Sequence, residues 1–327
     1  MSNSVPDMPA TPLQKAPTMK AWRVNDFGSI DAMSLEEIAR PQPGAGELLV
    51  KVNAAGVGPW DGWIRSGHSA LPQPLPLTLG SDLSGTVVAI GDGVSGFEVG
   101  EAVYGVTNAQ FTGAYAEYAV ASAGMMAGKP ESLTDVEAAS VPVIAVTAWQ
   151  ALFEQARVGQ GRTVLIHGAA GNVGAYAVQF ARQSGAHVIA TAGTDDVETV
   201  RTLGVDEIVD YKAARFEDVA HEVDVVIDLV GGETQERSFT VLKKGGLLVS
   251  AVSKPDQTLA EQHGVRALFF LVEVTTMHLT RIAEMIDTGE LKVNVGTVLP
   301  FAEAKIAHEM LEGARPHPRG KIVLTAL

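Results

Sequence analysis

No cysteine occurs among the 327 residues. Disulfides, thiol nucleophiles and metal sites built on thiolates are therefore excluded, and a reducing compartment fits. Also missing is an unbroken apolar run of the ~20 residues that a membrane-spanning helix needs; charge or glycine interrupts each longer stretch. Basic residues are few, 24 Lys and Arg against 38 Asp and Glu, for a formal net charge of −14. No footprint for nucleic acid or an anionic membrane is expected from such a chain. Residues 1–18 hold four prolines and no apolar stretch. They read as a disordered tail rather than a signal peptide, so a soluble, cytoplasmic protein is expected.

What is present is enough apolar residue, 46% of the chain, for full-sized cores, and a length of about two domains. From Met19 to Lys129 short strand-like runs alternate with Gly, Pro and Asp: MKAWRV, ELLVKVNAAGV, GTVVAIG, AVYGVT, GAYAEYAV. That texture predicts a β-rich domain. Beyond Leu133, strand-like and helix-like segments alternate, which predicts a parallel sheet with crossover helices. The expected division is a β-rich substrate domain over 19–140, completed by 285–327, with a dinucleotide-type domain over 141–284 inserted in it. The last strand-like run, GKIVLTAL, is expected to return to the first domain.

The segment TVLIHGAAGNVGAYAVQFARQSGAHVIATAG, Thr163 to Gly193, carries the clearest chemistry. A buried-type strand precedes Ala169, Gly171 and Gly174, spaced as in the dinucleotide fingerprint with Ala for the first Gly. Small residues let backbone approach a pyrophosphate, and the third lets the helix lie close to the strand. The amides of Asn172 and Val173 then face an anion at the helix N-terminus. Val173, Ala177, Phe180 and Ala181 form the helix face turned to the sheet. Asp195 lies about where an acid holds the ribose 2′-hydroxyl of NAD. With Glu198 it also has the spacing of a helix capping box, and both readings stand.

Together with AAGVGPWDGWIRSG, LGSDLSGTVVAIGDGVSGFEVGEAVYG, GAYAEYAV, TAWQAL, LGVDEIVDY, VDVVIDLVGG, LKKGGLLVS and GKIVL, these residues resemble the quinone oxidoreductase branch of the medium-chain dehydrogenase/reductase superfamily, which includes zeta-crystallin. The resemblance runs from about Met19 to Leu327. It implies an α/β fold, a doubly wound Rossmann sheet inserted in a GroES-like β-barrel domain, and a homodimer. Where zinc-dependent relatives have three metal ligands, this sequence has Val57, Ser81 and about Val143. The eight histidines offer no replacement pattern, and His167, His187 and His221 read as packed or surface residues. No metal is expected. Alcohol oxidation would then lack a Lewis acid, and hydride transfer to a quinone or an α,β-unsaturated carbonyl compound is the expected chemistry. A 2-enoyl thioester reductase and a nucleotide-binding protein of little turnover are the alternatives. No catalytic acid or base is assigned.

The resemblance implies Asn172 and Val173 at the diphosphate, with Thr147 near the phosphate or nicotinamide. It implies Thr191 and Gly193 at the adenosine ribose and Tyr211 near the adenosine. Val230, Ser250, Ala251 and Val252 are implied at the nicotinamide, and Phe269 and Phe270 either at the cleft or in a sheet or dimer edge. Lys321 is expected to be solvated, and Asp61 and Arg65 to pair as ions. Gly58 and Trp63 stand where the family has Asn and Tyr, so Trp60 and Trp63 either flatten the substrate pocket or pack under its loop. The family leans to NADPH. Gly193 and Asp195 replace its Ser and basic residue and lean to NADH, with Arg201 the available cation. NADPH is expected, with NADH possible.

Overall fold

The computed structural model describes residues 17–325. The strands of the first part are β1 (Thr18–Val24), β2 (Met33–Ala39), β3 (Glu47–Val57), β4 (Leu77–Thr78), β5 (Asp82–Ile90), β6 (Ala102–Val106), β7 (Tyr118–Ser122) and β8 (Met126–Gly128). Most of the expected tail lies outside the described residues. Its last residue is a correction: Thr18 is already in β1, opposite Ala39, because the backbone ladder with β2 reaches that far. β2 is itself an addition to the sequence reading. It is an edge strand whose adjacent acids, Glu36 and Glu37, hid the pattern.

One helix is set into this part, α1 (Pro59–Ser66). Pro59 opens it, where a missing N–H costs nothing, and Gly67 closes it at φ 78°. After β8 come α2 (Asp135–Ala139), capped by Thr134, and α3 (Pro142–Trp149), which continues into a π-turn over Gln150–Gln155.

Next comes a six-stranded parallel sheet: β9 (Thr163–Ile166), β10 (His187–Ala192), β11 (Glu207–Asp210), β12 (Val223–Asp228), β13 (Leu242–Ser250) and β14 (Arg266–Phe269). Its spatial order is β11-β10-β9-β12-β13-β14, the doubly wound order with β9 and β12 at the centre. The crossovers carry α4 (Asn172–Gln183), α5 (Val197–Arg201), α6 (Gly232–Arg237) and α7 (Gln257–His263). Both sheet faces are buried, so the strands read as continuous apolar runs. Val164, Ile166, Val188, Ala190, Val225, Ile227, Leu247 and Val249 face the core shared with α3 and α4. Leu165, Ile189, Val226 and Leu248 face the opposite core with Phe216 and Phe239. On the first face Trp149 meets Phe180 edge-on at 5.5 Å, seating α3 on α4.

The chain then runs through α8 (Thr276–Asp287), β15 (Val295–Pro300), α9 (Ala304–Leu311) and β16 (Lys321–Thr325). β16 pairs antiparallel with β3, and β15 lies outside it in the same seven-stranded sheet. The Tyr104 hydroxyl of β6 donates to the Leu279 carbonyl of α8 at 2.6 Å, a further tie between early and late segments.

Ile166 is fully buried at the end of the central strand. Ile166→Ala removes three carbons from a packed interior and is expected to cost about 2–5 kcal/mol. Urea titration followed by far-UV circular dichroism reads this as a lowered midpoint; an unchanged midpoint contradicts the packing described.

Candidate active site

Beyond β9 the chain turns through His167 and Gly168, the latter at φ 72°. The Gly171 amide donates to the Gly168 carbonyl at 2.9 Å, and α4 begins at once. A Cβ on Gly171 would lie 3.2 Å from that carbonyl oxygen; one on Gly174 would lie 2.2 Å from it and 2.7 Å from the Ala169 Cα. Gly174 is therefore needed for the helix to rest on the turn. Gly171, the N-cap, brings no side chain to the first amides of this twelve-residue helix. These amides, at Asn172 and Val173, stay open to an anion and add the positive end of the helix dipole. A bare turn feeding open amides fits the pyrophosphate of a dinucleotide.

Thr191, at 4% exposure, ties the turn to β10. The Ser238 hydroxyl donates to the Thr234 carbonyl at 2.6 Å, so its oxygen accepts from His167 Nε2 at 3.0 Å. His167 Nδ1 must then accept from the Thr191 hydroxyl at 3.1 Å, and that oxygen accepts the Gly168 amide at 3.4 Å. Burial pulls the His167 pKa down to about 4, so the ring holds this arrangement uncharged at neutral pH. Thr191 thus spends its hydroxyl inside the turn.

At the ends of β12 and β13 a second buried network forms around Asp228, which the sequence reading passed over. Its Oδ1 accepts the amides of Val230 and Gly231; its Oδ2 accepts from Gln235 Nε2 and the Ser250 hydroxyl, both at 2.8 Å. Ser250 Oγ accepts in turn from the amides of Val252 and Ser253. The Ala251 amide donates to the Asp228 carbonyl. The result holds two exposed valines, Val230 and Val252, rigidly at the strand ends. Val230 also leans over the turn: a Cβ on Gly168 would lie 3.3 Å from its Cγ2. Thr147 is buried in α3 and donates to the Val143 carbonyl at 2.7 Å.

At the far end of β10, Gly193 faces Tyr211, whose hydroxyl lies 3.1 Å from where a Cβ would stand. Asp195 caps nothing, a correction to the capping-box reading. Residues 194–196 form a 3₁₀ turn, so the N-cap of α5 is Asp196 and no side chain accepts there. Glu198 pairs with Arg201 instead, at 3.3 Å within the same helix turn. In β14 Phe269 is half-buried, and Phe270 packs on the core beneath α3 and α4.

Trp60 lies in the first turn of α1 and packs against the cores of both parts. Its indole N–H donates to Ser81 Oγ at 3.0 Å, filling one of the positions that hold metal ligands in zinc-dependent relatives. Its ring would meet any Cβ on Gly58 at 2.3 Å, so Gly58 and Trp60 go together. Trp60 and Phe111 each pack on the cores of both parts and form an apolar floor between them. Phe111, held at φ 60°, gave no sequence signal. Trp63 is half-exposed on α1. Among the described residues no group of three or more His, Cys, Asp or Glu could hold a metal ion.

Two charge expectations are corrected. Lys321 is buried, not solvated: its ammonium lies 3.0 Å from Asp82 Oδ2 and 4.4 Å from the Trp60 ring centre, because β16 carries it into the barrel wall. Asp61 and Arg65 make no ion pair. Asp61 Oδ2 accepts the Gly58 amide and the Tyr115 hydroxyl, while Arg65 turns to the Gly28 carbonyl, His308 and Glu312. One turn of helix puts the two on different neighbours. Full burial pushes Asp61 up to about 7, against the pull of its hydrogen bonds and of Lys321.

Residues 44–131 match the alcohol dehydrogenase GroES-like domain family, and residues 203–324 the zinc-binding dehydrogenase family. A mouse mitochondrial NAD(P)H oxidoreductase is 30% identical, over 97% of this chain and 92% of that protein. The tomato (Solanum lycopersicum) 2-methylene-furan-3-one reductase is 33% identical, over 94% of this chain and 79% of that protein. The solved quinone oxidoreductase of Coxiella burnetii superposes with a TM-score of 0.87 at 34% identity, covering 94% of this chain and 99% of that one. The chain belongs to the quinone oxidoreductase-like family of the medium-chain dehydrogenases/reductases. Its fold is the family's, a GroES-like barrel with a Rossmann sheet. The matched family name mentions zinc; at the places where the resemblance implies the ligands of zinc-dependent relatives, this chain has Val57, Ser81 and about Val143.

Two outcomes are expected from this geometry. Gly174→Ala would push α4 off the turn and weaken NADPH binding at least tenfold by fluorescence titration, an effect of order 1.4 kcal/mol. The second concerns Asp61. Between its ordinary value of 3.8 and about 7 the folded protein keeps a proton that the unfolded chain has released. Stability therefore falls as pH rises through that window, and the full cost is present above about 7. Asp61→Asn keeps an oxygen for both hydrogen bonds and cannot ionise. Its melting temperature should fall less than wild type between pH 5 and 8; an identical slope would assign the titration elsewhere.

Proposed function

We propose that the protein is an NAD(P)H-dependent reductase of quinones or α,β-unsaturated carbonyl compounds that works without a metal ion. One observation carries this reading: the turn with Gly168, Gly171 and Gly174 occurs together with Trp60 donating to Ser81, one of the positions that the resemblance assigns to metal ligands. A reduced nicotinamide, when bound, supplies hydride to an electrophilic carbon, and solvent supplies the proton. The chain's own part is alignment and exclusion of water. In this reading Asn172 and Val173 hold the diphosphate, and Thr147, Ser250 and Ala251 border the nicotinamide. Val230 and Val252, pinned by Asp228, cover its edge. Thr191, Gly193, Asp195 and Tyr211 shape the adenosine end, and Trp60, with Trp63 at the rim, receives a flat acceptor. The names of the tomato and Coxiella relatives support both acceptor classes.

The proposal extends to assembly and location. Units 19–140 with 285–327, and 141–284, enclose the cleft. β14 pairs only with β13 among the described strands, and its outer edge suits a second copy in a homodimer. No helix among the described residues is long and apolar enough to cross a membrane. The cytoplasm is the proposed location, although the mouse relative is mitochondrial.

Purified protein should oxidise NADPH or NADH on addition of quinones, enals or enones, followed at 340 nm, with full rate after chelator treatment. Reduction confined to 2-enoyl thioesters would reassign the substrate. Cofactor binding with no acceptor reduced would overturn the reading in favour of a nucleotide-binding protein.

A further inference from the structure

We infer that Lys212 selects the 2′-phosphorylated cofactor, and that Asp195 is a resident counterion which blunts that selection. The inference rests on the dinucleotide reading above and adds the residues that choose between its two forms. In a doubly wound sheet the adenosine ribose lies beyond the end of the second strand, here β10, which ends at Ala192. The next residue, Gly193, leaves that point free of side chain. A Cβ there would lie 3.5 Å from Lys212 Cε, so the lysine stem already passes the place a 2′-substituent would occupy. The backbone of Lys212 is fixed by its amide, which donates to Asp210 Oδ1 at 2.9 Å.

The other charges nearby are engaged elsewhere. Arg201 is held by Glu198. Arg215 pairs with Glu217. Asp196 faces away and is gripped through both oxygens by Arg319, at 3.0 and 2.7 Å. Lys212 pairs with Asp195, whose Oδ2 lies 3.6 Å from its ammonium, both side chains being more than half exposed; Lys212 also faces the Asp210 carboxylate, whose pKa is lowered first by Thr194 and also by Lys212. Such a pair contributes little to stability, so a doubly charged phosphate exchanges readily for the carboxylate. When no phosphate is present, Asp195 is free to accept the ribose 2′-hydroxyl instead. One residue thus opposes NADPH and favours NADH, while its neighbour does the reverse. The family's usual basic residue on the β10 loop is replaced by a lysine that arrives from β11.

Calorimetric titration with 2′,5′-ADP and with 5′-AMP isolates the 2′-phosphate from the rest of the cofactor, and fluorescence titration with NADPH and NADH repeats the comparison. Lys212→Met should weaken 2′,5′-ADP and NADPH about tenfold, the scale of one charge-assisted contact, and leave 5′-AMP and NADH unchanged. Asp195→Asn should shift the same ratio the opposite way. If the Lys212→Met ratio equals that of wild type, or if Arg201→Gln or Arg319→Gln alone moves it, the assignment to Lys212 is overturned. If wild type binds neither reduced cofactor, the dinucleotide reading falls and this inference with it.

Discussion

The buried pair of Lys321 and Asp82 ties the returning strand β16 to β5 of the barrel, and Asp82 carries the tie on to the start of α3. Both side chains are at 1% exposure or less. Asp82 begins β5, and its other oxygen accepts the Val143 amide in the first turn of α3 at 3.1 Å. Lys321 begins β16, and its ammonium lies over Trp60. Gly56 must be glycine here, since a Cβ would strike the Ala139 carbonyl at 2.4 Å and crowd Lys321 and Asp82. One ion pair thus joins the barrel, the returning strand, the entry to the nucleotide-binding part and the cleft floor. Removing one partner of such a pair strands a charge in the interior, at about 3–5 kcal/mol.

The same site explains Asp61. Two carboxylates and one ammonium are buried together, and Asp82 takes the ammonium at hydrogen-bond distance. Asp61 feels the lysine only from farther away, has one oxygen without a partner, and is held up by burial. Its hydrogen bonds to Gly58 and Tyr115 fix the start of α1 and so the position of Trp60. The floor of the cleft depends on a network whose charges balance only while Asp61 keeps its proton.

What the sequence revealed followed range. The strand, turn and helix from Thr163 to Gln183 were legible because each signal lies within a few residues of the next: a short apolar run, a bare turn, helical spacing. Lys321 and Arg65 were misread because their partners lie between 37 and 247 positions away, and Asp228 was missed because its side-chain partners Gln235 and Ser250 come from the next helix and strand. Gly58 looked like the loss of a polar contact. The fold shows it as the space that Trp60 requires, which only the three-dimensional path of α1 could show.

In the proposed placement the cofactor would be met by two different kinds of physics at its two ends. At the diphosphate the protein offers backbone amides and a helix dipole, with no side chain to move or titrate. Such a site is rigid, and it treats both cofactor forms alike. At the proposed adenosine end it would offer solvent-facing charges, Lys212 and Asp195, within a Debye length of the acids at 196 and 210. Screening acts strongly on the second site and weakly on the first. Shared affinity then belongs to the fold, whereas the choice between the two nucleotides rests on a few exposed side chains that substitution can alter without disturbing the core.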